Sequence, residues 1–442
     1  MFDNDSMLRR AFLGIVVAGA AAARTIRAPH KFSFVAVRWD AAMSRGRVRA
    51  SRDGLAWGDW RELKGDPHTG NSQLLAFEDG AEFVEVESDG ELRLDFIDPG
   101  PTRVWPARAA EKAGEKPPVV GRLEWGSPDG NSQRATPSYA PVTHLILHHT
   151  ADGPVADYAA WVRAIWRFHV LTNGWADIGY NYLIAPDGTI FEGRAGGDNV
   201  IGAHFSCQNT GTMGVALLGD YTRIAPPPAA FDSLVRLLTW RAKALELDPW
   251  AVTRHAGMQQ DMYVISSHRD GNHFARSCTV TACPGDSFYP LLEKVRNEVN
   301  ALVTGRPQWT ASPGSLWRAE PEGVWRYGSE RTESYDTGAR NEGSLESSPF
   351  EAEGLVEFSY ESWYQTEDTG REKDLKLLEW SVNNGPWTVA DQVDGPMEEW
   401  TLRSVRMEAS GRARLRFRFD SVDEFRNAYT GWRLRNVYRA GQ

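Results

Sequence analysis

The hydrophobic periodicity of this chain changes twice, and this change constrains its fold more than any other feature. From residue 31 to about 100, and again after residue 305, apolar residues alternate with polar ones in short runs, as at Val35, Val37 and Trp39. Between these regions, short apolar runs interleave with stretches whose apolar residues recur at helical spacing. Alternation predicts β-strands, whereas helical spacing predicts amphipathic helices. The sequence therefore predicts a multidomain protein, with a central α/β domain (a mixed sheet flanked by helices) between two all-β, sandwich-like domains.

The length of the chain agrees with this division. Its 442 residues exceed one typical domain and suit about three. The predicted parts are, in chain order, an export signal, an N-terminal all-β domain, a proline- and alanine-rich linker, the α/β domain and a C-terminal β-sandwich: residues 1–27, 31–100, 101–118, 119–305 and 313–442.

The first 27 residues have the pattern of an export signal. Arg9 and Arg10 precede an apolar run at residues 11–23, which is too short to span a bilayer. The arginine pair fits the twin-arginine route as well as a general secretory signal, and both readings stay open. The sequence predicts an exported protein, secreted, periplasmic or wall-associated, without an integral membrane domain. The formal net charge of −10 argues against a nucleic-acid partner.

The residues capable of catalysis concentrate in the central region. The chain has no G-x-S-x-G elbow, no Gly-rich phosphate loop and no H-E-x-x-H helix. The remaining candidates are His148, His149, His204, His268 and Cys283. A catalytic zinc site usually takes three protein ligands and leaves one position for water, so two histidines and one cysteine meet its needs. Each residue alone is more often structural, and spacing alone does not identify the site.

The motifs around these residues are more specific, and they occur in order along the chain. They are VVGRLEWG (119–126), LHHTA (147–151), DIGYNY (177–182), FEGR (191–194), GAH (202–204), SHRD (267–270) and ACPG (282–285). This series resembles the peptidoglycan recognition protein family, the type-2 N-acetylmuramoyl-L-alanine amidases. The resemblance covers nearly the whole central domain.

The resemblance implies a zinc-dependent enzyme that hydrolyses the lactyl–L-alanine amide of peptidoglycan. It implies one zinc ion held by His148, His268 and Cys283, with Tyr180 stabilising the oxyanion and Thr281 at a second catalytic position.

Other side chains of the central domain have open assignments. His169 and His204 are candidate substrate-binding residues, with inward packing and turn stabilisation as their structural alternatives. His149 points to the opposite face of its strand and is expected to be a structural neighbour. Glu192 is the nearest carboxylate for a general base, but its hairpin position suits a structural role better.

One departure from the family pattern affects the metal ligands. The separation from His268 to Cys283 is 283 − 268 = 15 positions, longer than the family commonly has, and the added segment contains His273 and Cys278. Either this segment bulges out and His268 remains the ligand, which we favour, or His273 replaces it. Cys278 is a candidate disulfide partner of Cys207, with two free thiols as the alternative. The residues AGG (195–197) replace the family's marker of stem-peptide type, so that preference is unreadable.

Three functional hypotheses follow. The first is the amidase, the second a non-catalytic recognition protein that binds peptidoglycan or muropeptides, and the third a cell-surface adhesin. Cys283 and Tyr180 favour catalysis. The C-terminal motifs WRYG (325–328), YDTG (335–338) and GWRL (431–434) resemble jelly-roll modules appended to secreted bacterial hydrolases. Such a module serves as a structural accessory or binds wall polysaccharide or calcium. The sequence gives no indication of oligomeric state.

Overall fold

The computed structural model describes most of the chain and divides it into two compact units, Met1–Glu293 and Lys294–Gln442. The described residues are 14–18, 20–40, 43, 45–65, 70–102, 115–205, 208–257, 259–273, 280–304, 309–320, 324–368, 373–394 and 398–439. Where the sequence predicts three domains, the N-terminal β region and the central region belong to one unit, because they share a hydrophobic core. Arg9, Arg10, Cys207, Cys278 and most of the predicted linker lie outside the described residues.

The first unit begins with a six-stranded antiparallel sheet in the order β1-β6-β2-β5-β3-β4. Its strands β1 to β6 are Ile15–Val17, Ala20–Trp39, Gly46–Ser51, Arg61–Glu62, Ser72–Ser88 and Leu92–Ile97. The first two strands include residues that the sequence assigns to the export signal. The sheet therefore starts before residue 31, and two of its strands are much longer than the short runs predicted.

Both faces of this N-terminal sheet are buried around residues 34–37, 74–76 and 94–97 of β2, β5 and β6. One face contributes to a core that includes Val35, Val37, Leu75, Leu94 and Phe96. The opposite face joins the core of the central region, and this shared core includes Phe34, Ala36, Leu74, Ala76, Ile97, Trp161, Ile165 and Phe168. The central region therefore covers one face of this part of the sheet, and on the other face apolar residues of the N-terminal region pack against one another.

The central sheet has six strands in the order β14-β8-β11-β9-β10-β7. Its members, by chain order, are Val119–Val120 (β7), His144–His149 (β8), Tyr182–Ile184 (β9), Ile190–Glu192 (β10), Thr212–Leu217 (β11) and Ile265–Ser267 (β14). Strands β14, β8, β11 and β9 are parallel neighbours, and β10 runs antiparallel to β9 in the predicted hairpin. This confirms the predicted mixed sheet.

Helices accompany this sheet, with a two-stranded ribbon of Val252–His255 (β12) and Gln260–Tyr263 (β13). The α-helices of the described residues are Arg122–Trp125 (α1), Tyr158–Arg167 (α2), Pro228–Ala244 (α3) and Leu292–Thr304 (α4). Helix α2 begins where the Asp157 carboxylate accepts a hydrogen bond from the Ala160 amide at 2.9 Å. It continues as a π-helical turn, Phe168–Thr172. In the described part of the chain, no helix combines the length and the apolar character needed to cross a membrane.

The second unit contains an antiparallel sheet whose main path is β15-β18-β22-β19-β23-β17-β16, with β20 joined to β22 and β21 joined to β20. Strands β15 to β23 are Trp309–Ala311, Trp317–Glu320, Val324–Tyr327, Glu342–Ser347, Phe350–Gln365, Leu375–Val382, Thr388–Gln392, Thr401–Asp420 and Gly431–Arg439. On β22, Ala413, Leu415, Phe417 and Phe419 are buried as predicted. The jelly-roll arrangement stays a prediction.

Candidate functional site

Three potential metal ligands meet at one edge of the central sheet. His148 lies near the end of β8, and His268 directly follows β14, which is the parallel neighbour of β8 and pairs Ser267 with Leu147. The ends of parallel neighbours lie at the same sheet edge, so the two imidazoles come together. Cys283 reaches the same place from the loop beyond the added segment. The three side chains are buried, and their donor atoms lie within 4.8 Å of one another.

The donor set fits a zinc ion. Zinc bonds of about 2.0–2.1 Å to nitrogen and 2.3 Å to sulfur at tetrahedral angles place those donors about 3.6 Å apart. The His148 Nδ1 and Cys283 Sγ atoms are 3.7 Å apart. Two imidazoles and one thiolate would leave a bound zinc ion with a formal charge of about +1 and a fourth position open.

Backbone contacts hold the cysteine in place. The His149 amide donates to Cys283 Sγ at 3.4 Å, and an N–H directed at sulfur favours the thiolate form that binds metals. The Cys283 amide donates to Thr281 Oγ1 at 3.0 Å. Asn272 forms a two-point clamp on the Thr281 backbone, with distances of 2.7 and 3.0 Å. Thr281 is thus seen to brace the cysteine, and its catalytic role stays a prediction.

His204 contacts a candidate ligand directly. Its Nδ1 atom lies 3.0 Å from His148 Nε2, and its Nε2 atom lies 3.2 Å from Thr212 Oγ1. The Thr212 hydroxyl donates its one proton to the Asn209 carbonyl at 2.7 Å, so it accepts from the Nε2–H of His204. His204 Nδ1 then accepts from His148 Nε2–H. This chain of hydrogen bonds leaves the lone pair of His148 Nδ1 facing Cys283, as a metal ligand requires.

Two glycines make room for the His204 ring. A Cβ atom at Gly214 would lie 2.4 Å from His204 Cγ, and one at Gly202 would lie 2.5 Å from His204 Cδ2. Neither contact is possible for a larger residue without displacing the ring. The hydrogen bond to His148 therefore depends on small residues in two separate segments.

The rings of Tyr180 and His169 lie next to each other, and the Tyr180 ring also lies beside that of His148. The Tyr180 ring centroid is 5.3 Å from that of His148 and 5.7 Å from that of His169. The His169 Nδ1 atom accepts a hydrogen bond from the Gly179 amide at 3.1 Å, and its ring lies 4.6 Å from the Trp175 ring. His169 thus has structural contacts as well as a place in the cleft described next.

A small cleft of about 20 Å³ opens beside Tyr180. Its lining residues are Gly65, Gln73, Leu74, Thr150, Ala151, Asp152, Ile165, Phe168, His169 and Tyr180. The first three come from the N-terminal sheet and its loop, so that sheet forms one wall of the cleft. The Asp152 carboxylate accepts a hydrogen bond from Trp161 Nε1 at 2.9 Å and another from the Thr150 hydroxyl.

Sequence reasoning missed Asp152 and the residues from the N-terminal sheet. Asp152 comes soon after the LHHTA motif, which was a usable signal, whereas nothing in the sequence places Gln73 or Leu74 near Tyr180. Glu192 is absent from the donor cluster, and its carbonyl accepts from Trp125 Nε1 at 2.8 Å. The predicted disulfide partners Cys207 and Cys278 and the side chain of His273 lie outside the described residues.

A buried ion pair links two of the sequence motifs of the central region. Arg122 Nη1 and Asp177 Oδ2 are 3.1 Å apart, and both side chains are almost fully buried. The amides of Ile178 and Ala195 also donate to this carboxylate, each at 2.8 Å. Burial raises the pKa of Asp177, and the charge of Arg122 together with these amides opposes that shift. The pair fixes the segment that leads into Tyr180.

Comparison with known proteins places these features in a family. A family model described as N-acetylmuramoyl-L-alanine amidase matches residues 138–286. Peptidoglycan-recognition protein SC2 of Drosophila simulans is 33% identical over 174 residues, which cover 39% of this chain and 82% of that protein. An N-acetylmuramoyl-L-alanine amidase of Sus scrofa is 36% identical over 182 residues, or 40% of this chain and 27% of that protein.

The solved structures that are similar cover the same share of the chain. The crystal structure of Drosophila peptidoglycan recognition protein SD aligns with 27% identity over 40% of this chain and 94% of that chain, with a TM-score of 0.32. The chain thus spans about a quarter of the length of the porcine relative and most of the Drosophila proteins.

Proposed function

This chain belongs to the family of peptidoglycan-recognition proteins and N-acetylmuramoyl-L-alanine amidases, and we propose that it is an exported, zinc-dependent amidase that acts on peptidoglycan. Its substrate is the amide that joins the lactyl group of muramic acid to L-alanine of the stem peptide. His148, His268 and Cys283 hold the single zinc ion, and Tyr180 acts at the carbonyl oxygen.

The convergence of the two histidines and the cysteine carries this proposal. Their donor atoms share one buried point within 4.8 Å, and the three residues come from separate segments of the chain. Buried imidazole and thiol groups without a common ligand have no structural need to face one another. A family member that only binds peptidoglycan would have no use for a complete donor set of this kind.

The residues around the metal position perform distinct tasks in this reaction. A bound zinc ion supplies Lewis acidity for the carbonyl group and for the attacking water. His204 keeps the proton of His148 on Nε2, so that Nδ1 remains a ligand. Tyr180 is only 2% exposed, and its ring centroid lies 5.3 Å from that of His148; in the proposed reaction its phenol stabilises the oxygen that becomes negative in the transition state. A donor placed for that charge is worth more in a water-poor site than in solvent.

The test is release of stem peptides from purified peptidoglycan, followed by mass spectrometry together with zinc content per chain. We expect the parent protein to hold one zinc ion and to release peptides while leaving the glycan intact. Cys283→Ala should lose both properties, and a chelator should abolish release. His30→Ala, a change at an exposed histidine of the N-terminal sheet, is the matched control and should behave as the parent does.

Tyr180→Phe separates metal binding from catalysis. Removing one oxyanion donor should lower kcat by about 10²–10³-fold, while the zinc content stays at one ion per chain. Zinc-loaded parent protein that binds peptidoglycan and releases no peptide from any wall type would contradict the amidase proposal and support the recognition alternative. Full activity of Cys283→Ala would contradict the ligand assignment.

A further inference from the structure

Three arginines lie side by side on neighbouring strands of the C-terminal sheet. Arg318 on β16 pairs with Arg326 on β17, and Arg326 pairs in turn with Arg433 on β23. The residues that flank them, Trp317, Tyr327 and Trp432, are buried in the core on the other face. The three guanidinium groups therefore share the outer face of the sheet. Like charges in directly opposite positions destabilise a sheet, so this row opposes folding rather than assisting it.

The carboxylate of Glu320 forms ion pairs with all three arginines. Glu320 lies 3.5 Å from Arg318, 3.4 Å from Arg326 and 3.6 Å from Arg433. These distances exceed the 2.7–2.9 Å of a strong charge-assisted hydrogen bond. Among the described residues, no other carboxylate forms an ion pair with any of the three. Counted over the residues that the structure describes, the row has three positive charges against one negative charge.

Burial increases the need of this row for a counter-ion. Arg326 is only 5% exposed, and its remaining donors bond to the carbonyl groups of Thr430 and Glu333. Burial, followed by the charge of Arg433, lowers the pKa of Arg326. Other arginines of the same sheet differ, since Arg406 has Glu357 at 3.0 Å. The imbalance is a local property of the row, and it does not follow from the composition of the sheet.

Aromatic side chains continue this face. Trp363 on β19 pairs with Arg433, whose guanidinium carbon lies 4.9 Å from the Trp363 ring centroid. Arg435, two residues further along β23, lies 4.1 Å from the ring centroid of Trp400. Trp400 is 36% exposed. Partly exposed tryptophans offer flat apolar surfaces with a polar edge, which suit the faces of sugar rings.

We propose that the row formed by Arg318, Arg326 and Arg433, together with Trp363 and Trp400, binds an anionic polysaccharide. The guanidinium groups of Arg318 and Arg433, which are partly exposed, hold its carboxylate or phosphate groups, because their planar forks match both kinds of oxyanion. The buried Arg326 lies between them and adds its positive charge without contacting the ligand. The tryptophans contact the sugar rings. Adjacent strands are about 4.8 Å apart, but the guanidinium groups converge on Glu320, so they form one anion-binding position. This site is independent of the proposed hydrolysis.

The test uses the full chain and soluble probes that an amidase cannot cleave. Oligogalacturonate supplies a carboxylate on each sugar, phosphorylated dextran supplies phosphate groups, and unmodified dextran is the neutral probe. Binding is followed by tryptophan fluorescence and by calorimetry. We expect oligogalacturonate or phosphorylated dextran to bind with an affinity that falls as salt concentration rises, and dextran to bind much more weakly. The better of the two charged probes identifies the preferred oxyanion.

Two variants assign this binding to the row. Arg318→Gln combined with Arg433→Gln removes two charges at partly exposed positions and should weaken binding by tenfold or more. The control leaves Arg435 unchanged, because Arg435 contacts Trp400 of the proposed site. Arg406→Gln alone removes one charge from the same sheet, and it should change binding by less than twofold. Thermal unfolding of each variant establishes that the sheet is intact.

Several outcomes would overturn the proposal. Unchanged affinity in the folded double variant would show that the row is not the site. Equal binding of neutral and charged dextrans would remove the role of the arginines. Tighter binding of double-stranded DNA than of either charged polysaccharide, lost in the same double variant, would assign the row to nucleic acid instead.

Discussion

The two β regions of this protein have similar sequence patterns and different structural roles. The N-terminal sheet buries both of its faces around residues 34–37, 74–76 and 94–97, and one of these faces lies in the same core as Trp161 and Ile165 of the central region. The C-terminal sheet closes a core of its own around residues such as Trp432, Phe417 and Leu378. Alternating apolar residues thus identify strands in both regions. They do not reveal whether a sheet is a separate domain or a layer of its neighbour.

Polar contacts reinforce the difference. Arg163 of helix α2 donates to the carbonyl groups of Pro99 and Gly100, each at 2.8 Å, and to that of Trp125 at 2.7 Å. The Thr172 hydroxyl donates to the buried Asp95 carboxylate at 3.0 Å. Buried donors that lost such partners would each cost about 1–3 kcal/mol. The N-terminal sheet is therefore part of the same folded unit as the central domain.

The largest expected effect comes from removing each β region in turn. A chain limited to residues 115–442 loses the sheet that covers Trp161 and Ile165, so we expect insoluble or inactive protein. A chain limited to residues 14–304 retains the shared core and should keep at least half of the peptide-releasing activity. The measurements are soluble yield and specific activity. A soluble, fully active 115–442 chain would refute the shared-core argument.

A pair of core substitutions tests the same point with the full chain. Phe34→Ala in the shared core should lower the free energy of unfolding of the amidase by about 3–5 kcal/mol, because it leaves a cavity. Phe417→Ala makes the same change in the C-terminal core and should leave the temperature of amidase inactivation unchanged. Thermal inactivation of peptide release measures both. Equal inactivation temperatures for the two variants would contradict this expectation.

Acid should change the stabilising contributions of two buried groups, His144 in the first unit and Asp374 in the second, in opposite directions. Burial lowers the pKa of His144 to about 4 from an ordinary value of 6.5, so its contribution to the stability of the first unit falls as pH decreases from 6.5 toward 4. Burial raises the pKa of Asp374 to about 6 from 3.8, so its contribution to the second unit rises as pH decreases through the same range. Calorimetry between pH 4 and 7 measures both trends.

Conservative variants isolate these contributions from those of other titrating groups. His144→Asn should reduce the acid sensitivity of the first unit, and Asp374→Asn should reduce the stabilisation of the second unit by acid. Each variant should leave the pH dependence of the other unit as in the parent. An unchanged pH profile in either variant would rule out that group as a cause.

The smallest expected effect concerns the cleft wall. Gln73 accepts a hydrogen bond from the Lys64 amide at 2.8 Å and lines the cleft beside Tyr180. Gln73→Ala should raise KM by about threefold with little change in kcat. The reason is that a contact between Gln73 and the substrate would be equally strong in the bound substrate and in the transition state. Gln392→Ala, in the C-terminal sheet, is the control and should alter neither constant. Steady-state kinetics on a soluble muropeptide distinguishes the two.

Much of the central region could be predicted because local pattern and motif agree there. The helix after Asp157, the hairpin that contains Glu192 and the grouping of His148, His268 and Cys283 all depend on short segments with specific requirements. The course of the loop between His268 and Cys283 could not be predicted, because its polar residues fit several paths. The clamp between Asn272 and Thr281 is a contact that no spacing rule anticipates.

The sequence contains a sign that part of the N-terminal sheet is buried on both faces, although the alternating pattern of the same region favours one solvated face. Phe34, Val35, Ala36 and Val37 form a continuous apolar run, and Leu74 to Ala76 form another. Continuous runs are typical of strands covered on both faces, whereas strict alternation is typical of one solvated face. The partner of the second face could not be inferred, because apolar surfaces do not specify which apolar surface covers them.

The shared core has a consequence for how this protein can change over evolution. Residues 138–286 carry the family match, but Phe34 and Ile97, outside that segment, help to fill the same interior as Trp161. If residues 138–286 were replaced by the matching segment of a relative, that segment would pack against an N-terminal sheet to which it is not adapted. If residues 138–286 were moved to another protein, they would lack the N-terminal sheet that covers their core. The two parts are expected to be inherited together, with substitutions on one side matched by compensating changes on the other.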